Sequence, residues 1–198
     1  MRPVAWLVLL AACGGGRADA PDAQAVADSA PAASVMPPPD TTYPPARRGA
    51  LVARSALPSP INGEWVATAG LCNEPPSFQL LAPGDSVDVM ILLRSPAEGW
   101  ATGAYAVAAP EDTTDAPRTA RIGLQRVLYI DQAYRGERGA VELSRLDRLA
   151  SGRFDVVLRE LNAQDTVRYL GVFDRIRVDS LPPAECRAAA RGVPPGVH

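Results

Sequence analysis

The segment Arg153-Phe154-Asp155-Val156-Val157-Leu158, followed by Val167-Arg168-Tyr169-Leu170-Gly171-Val172-Phe173, decides the fold class. Large apolar side chains stand at alternate positions, the spacing that puts them on one face of a pleated strand. The first segment predicts an inner face of Phe154, Val156 and Leu158; the second predicts Val167, Tyr169 and Phe173. Beyond Asp174 the apolar residues Ile176 and Val178 fall on even numbers, so a bulge or bend is expected near Asp174.

Outward from these segments the same grammar continues: short runs of Val, Ile, Leu, Tyr and Phe between clusters of Gly, Pro, Asp and Asn. Strands are expected near Gly63–Ala69, Ser77–Leu81, Asp85–Arg94, Trp100–Ala108, Thr119–Tyr134, Gly139–Leu146, Arg153–Leu161 and Thr166–Val178. Asp85–Leu93 begins in alternation and ends continuously apolar, as a strand covered on both faces at one end would. The one helical rival is a single turn over Arg145–Ala150. The expected fold is all-β, a single β-sandwich or β-barrel-like domain of about eight antiparallel strands over residues 61–186. Periodicity does not choose between sandwich and barrel. That length suffices for one core, and no internal repeat is present.

Two resemblances follow from short motifs. Gly103-Ala104-Tyr105-Ala106-Val107, Gly139-Ala140-Val141-Glu142-Leu143, Ser151-Gly152-Arg153-Phe154 and Leu170-Gly171-Val172-Phe173 together resemble an ordered pattern found in exported bacterial β proteins without assigned activity. That resemblance implies a fold and a location, and carries no functional residue with it. Its motifs record strand geometry, with glycine where backbones bend or approach closely and aromatics pointing inward. At the N-terminus, Arg2 precedes an apolar run from Val4 to Leu10 and then small residues, the order of a secretory leader. The run is far shorter than the roughly 20 residues that span a bilayer. Leu10-Ala11-Ala12-Cys13 resembles the lipobox of bacterial lipoproteins at all four positions. It implies lipidation of Cys13, removal of residues 1–12 and a stable membrane anchor. Gly14, which is not the Asp that retains enteric-type lipoproteins at the inner membrane, favours an outer-membrane location by the same resemblance.

Residues 13–60 are rich in Ala, Pro, Asp and Ser, with Pro37-Pro38-Pro39 and Pro44-Pro45, and show neither period; they read as a disordered tether. Residues 187–198 read as a flexible tail. Of three cysteines, a lipidated Cys13 leaves Cys72, just after the first expected strand, and Cys186, just after the last. In an oxidising compartment these are expected to pair.

The net charge is −2, and every basic residue is arginine. Residues 59–115 hold one arginine against eight acidic residues; residues 116–198 hold fourteen against ten. Complementary facing strands are the plainer reading. The sharper one is a basic face of Arg118, Arg121, Arg126, Arg135, Arg138, Arg145 and Arg148 for anionic glycan or lipid headgroups, diluted by five acidic residues between Arg118 and Arg159. An exported, net acidic chain is unsuited to nucleic acid.

No catalytic, cofactor or metal residues are assigned. The only histidine is His198, no Gly-x-Ser-x-Gly elbow or phosphate loop occurs, and too few His and Cys are present for a zinc site. Glu111-Asp112-Thr113-Thr114-Asp115 clusters three carboxylates without the order of a calcium loop. Trp65 and Trp100 read as core aromatics before they read as a sugar-stacking surface. The expected role is a non-enzymatic binding or structural envelope lipoprotein, with the membrane as one partner and an envelope protein or glycan as another. The alternatives are a barrel that carries a small apolar ligand or lipid in its cavity, and a cryptic hydrolase.

Overall fold

Alternation gives strands almost throughout the computed structural model, which describes residues 42–55, 61–96, 99–114, 116–128, 130–163 and 165–190. These belong to one compact unit, Asp40–His198. The strands are β1 (Ala50–Ser55), β2 (Gly63–Val66), β3 (Thr68–Asn73), β4 (Pro76–Ala82), β5 (Val87–Arg94), β6 (Gly103–Val107), β7 (Thr119–Leu128), β8 (Ile130–Leu146), β9 (Leu149–Glu160) and β10 (Thr166–Ser180). One helix follows, α1 (Pro183–Ala190). The leader and Cys13 lie outside the described residues.

The ladders close on themselves. The ring runs β10–β3–β4–β5–β7–β8–β9 and returns to β10, because β10 pairs with β9 along one edge and with β3 on the other. Two short insertions complete it. β1 takes the edge of β10 ahead of β3, Leu51 opposite Phe173, and carries β2 on its outer side. β6 fills the gap where β7 and β8 splay apart, parallel to β7 at Ala106–Val107 and antiparallel to β8 at Gly103–Ala106. The architecture is therefore a closed barrel.

Its interior is packed with side chains. Phe154, Val156, Leu158, Tyr169 and Phe173 are buried as alternation predicts, Val167 is half-buried, and Phe78, Ile91, Leu93 and Tyr105 face them from other strands. Burying each such apolar side chain contributes about 1.5–3 kcal/mol. Where β9 meets β10, Phe154 stands opposite Gly171 and Gly152 opposite Phe173. Each ring lies over the opposing glycine, so that a Cβ on Gly171 would enter the Phe154 ring and one on Gly152 would meet the Phe173 ring. Large and absent side chains thus alternate across the closing seam, the interdigitation a filled barrel requires. The bend expected near Asp174 is present: the β9–β10 register slips between Phe173 and Ile176, and Arg175 takes φ 49°. Ser151 Oγ fixes it, accepting from Arg175 N at 2.9 Å and donating to Asp174 Oδ1 at 3.1 Å.

Several expectations are corrected. Among the described residues there are ten strands, not eight, and the β3–β10 and β6–β7 pairings are parallel. Side-chain alternation carries no strand direction. The expected tether overran the domain boundary: β1 lies within residues 13–60, with Leu51 and Ala53 buried in the core. The domain therefore begins before residue 61; small alanines beside a Pro-rich run hid its alternation. The expected strand Thr119–Tyr134 divides into β7 and the start of β8, which pair as a hairpin. Arg145–Ala150 is the β8–β9 hairpin, held by Asp147 Oδ1 accepting from Leu149 N at 2.8 Å, not a helical turn. The tail expected from residue 187 begins inside α1.

Tyr169 donates from its hydroxyl to the Ile61 carbonyl at 2.8 Å, and burial pushes its phenol far above the ordinary value of 10.0. A raised folded-state pKa means that stability is intact below the unfolded pKa, about 10, and is lost as pH rises past it. Tyr169→Phe is expected to cost about 0.5–1.5 kcal/mol at pH 7. It should also make the alkaline loss of stability shallower, as urea melts from pH 7 to 11 would record; an unchanged slope would contradict this assignment.

Candidate functional site

The outer face of the barrel is hollowed where one cross-strand row meets a glycine. The row runs Thr68–Leu81–Met90–Gly123–Arg135 across β3, β4, β5, β7 and β8. Its members are the alternates of core residues Leu80, Val89 and Leu124, so they face away from the interior. Gly123 leaves a gap between Met90 and Arg135; a Cβ there would find only Met90 Cε, at 3.8 Å. The resulting groove has a volume of about 560 Å³, within the range of small-molecule sites.

The chain after β10 builds one wall. Leu181 N donates to the Leu71 carbonyl at 3.0 Å, and the Leu181 side chain occupies the space a Cβ on Gly70 would need. Cys186 of α1 is disulfide-bonded to Cys72 of β3, with Cα atoms 5.6 Å apart and a sequence separation of 114. The expected Cys72–Cys186 pair is present, and it clamps α1 onto the outer face. Beside it lies Gln79, only 1% exposed, whose Nε2 donates weakly to Cys72 Sγ at 3.5 Å. Its Oε1 is buried with no hydrogen-bond partner. The rim carries Asp88, Asp179 and Glu185 against Arg135. Tyr134 borders the groove, its phenol pushed up first by burial and then by Glu160.

A second cavity of about 560 Å³ lies over β8, β9 and β10, beneath the segment that enters β1. Tyr43 covers it with its ring 5.2 Å from the Arg153 guanidinium, which is paired with Glu142 at 2.6 Å. Of its serines and carboxylates, Ser151 and Asp174 are spent on the β10 bend, Ser144 donates to the Ser151 carbonyl and Glu142 holds Arg153.

The other sequence candidates do not converge. Glu111 is paired with Arg159 at 2.7 Å, and Asp112 accepts from Thr114 N and Oγ1 at 2.8 and 2.7 Å. Both carboxyls are thereby held below their ordinary values, Glu111 first by its own backbone amide and Asp112 first by the Thr114 hydroxyl. Asp115 lies outside the described residues, among which no three His, Cys, Asp or Glu group as a metal would need. The seven arginines disperse. Arg121 donates to the Asp112 carbonyl, Arg126 to Gln132, Arg138 to Glu137 and Arg145 to Asp147. Arg118 and Arg148 sit in separate turns, and Arg135 on the groove rim. Trp65 is in the core, and Trp100 packs edge-on against Phe78 with ring centroids 6.5 Å apart. The groove escaped sequence reading because its row joins five strands through their register, which no single segment records. Compared with protein-family models, curated proteins and solved structures, the chain has no match.

Because the disulfide closes a 114-residue loop, replacing both cysteines by alanine is expected to lower stability by up to about 4–5 kcal/mol. Hydrogen exchange should then rise most at Leu181–Arg187, beyond the loss of protection shared by the barrel strands. Equal loss of protection across the barrel would contradict a clamp specific to α1.

Proposed function

We propose that this chain is a lipid-anchored protein of the bacterial cell envelope whose barrel is a non-enzymatic binding module. The observation that carries the reading is the distribution of cysteines. Cys72 and Cys186 pair with each other. Cys13 is left as the third cysteine, at the end of Leu10-Ala11-Ala12-Cys13. A disulfide accords with an oxidising compartment, which a leader would reach. On this reading diacylglycerol joins the Cys13 sulfur, the leader is removed and the new amino terminus is acylated, with the outer membrane favoured by Gly14. An envelope protein or glycan would be the natural macromolecular partner.

The filled interior weighs against a carrier that holds an apolar ligand inside the barrel, since Phe78, Phe154, Tyr105, Tyr169 and Phe173 take that space. In the second cavity the Ser151–Asp174 pair serves the backbone of the β10 bend, which weighs against its use as a nucleophile and base.

In cells fed an alkyne-labelled palmitate, the wild-type chain is expected to take up label and to sediment with membranes, and Cys13→Ala to do neither. Recovery of Cys13→Ala as a soluble protein whose leader is still cleaved at the same place would overturn the lipid assignment.

A further inference from the structure

We propose that the outer groove beneath α1 is a binding site for a small amphipathic cation, an apolar body bearing an ammonium or similar N–H donor. This deepens the reading of the barrel as a binding module and is independent of the lipid anchor. Two separate observations support it. The floor offers Leu81, Met90 and the open position at Gly123, a surface for an apolar body. The polar groups around it are mostly acceptors: Gln79 Oε1, buried without a partner, and the carboxylates of Asp88, Asp179 and Glu185, with Arg135 the one arginine among the residues that line the groove.

Each of these selects against an anion. A buried amide oxygen without a donor is destabilising, and a ligand that supplies one recovers that loss as affinity. Asp88 accepts one bond from Gly84 N at 3.0 Å, and Asp179 pairs with the exposed Arg177. Neither bond exhausts a carboxylate, which accepts at both oxygens. Leu181, seated on Gly70, lies next to Gln79 across the β3–β4 ladder. Gln79 itself is among the residues that line the groove. Leu181 thus stands beside Gln79 at the groove wall, in the segment that the disulfide ties to β3.

The test uses the full-length chain with its disulfide intact and three probes with the same phenylbutyl carbon skeleton: 4-phenylbutylamine, 4-phenylbutanol and 4-phenylbutyrate. Binding is followed by calorimetry and by amide shifts in two-dimensional NMR. The amine is expected to shift Gly70, Met90 and Gly123 and to bind about tenfold or more tighter than the butyrate. Gln79→Leu should weaken the amine by about tenfold. Gly123→Leu, which fills the floor from outside the barrel, should abolish binding while the thermal melt stays cooperative. Stronger binding of 4-phenylbutyrate at the same amides would overturn the cation assignment and leave a binding groove. Shifts from none of the three probes, or binding undiminished in Gly123→Leu, would overturn the site itself.

Discussion

Phe154 over Gly171 and Phe173 over Gly152 are the contacts on which the closed barrel depends. They lie on the β9–β10 seam, where the ring of strands returns to its starting point, and their reciprocity sets the register. A slip of one residue would turn both rings outward; a slip of two would set a ring against a side chain in place of a glycine. A related packing occurs within β2, where the Trp65 ring fills the space beside Gly63. Aromatics laid over glycines let a narrow barrel be filled without strain.

A barrel filled in this way leaves its chemistry to the outside. Tyr105 and Tyr169 turn their hydroxyls to the carbonyls of Ala101 and Ile61, so even the polar atoms of the core are committed to structure. Outside, Gly123 makes a hollow, and the segment after β10 folds back as α1 to wall it in. The disulfide ties that wall to β3, the strand that follows β1 along the edge of β10. The cross-link and the groove are therefore parts of one arrangement, and the long loop it closes contains almost the whole barrel.

Much of this was legible in the sequence. The alternation of Phe154, Val156 and Leu158 marked the inner face of β9, and the change of parity between Phe173 and Ile176 marked the bulge. The cysteine count led to the Cys72–Cys186 pair. What escaped depends on relations between strands. β1 was hidden because Ala50 and Ala53, buried though they are, look like their alanine-rich surroundings. The parallel pairings and ring closure left no local trace, since a residue's periodicity is the same whichever neighbour it meets. The groove was invisible for the same reason: Leu81, Met90, Gly123 and Arg135 become neighbours only through register.

The closing seam is tested most directly by a double-mutant cycle of Gly171→Ala and Phe154→Leu, read by chemical denaturation. Gly171→Ala alone should cost about 1–3 kcal/mol through overpacking. Beside Phe154→Leu, with no ring above it, the added methyl should cost far less, giving a coupling of about 1 kcal/mol or more. Additivity within about 0.5 kcal/mol would mean that the ring and the glycine do not support each other, and would contradict this account of how the barrel closes.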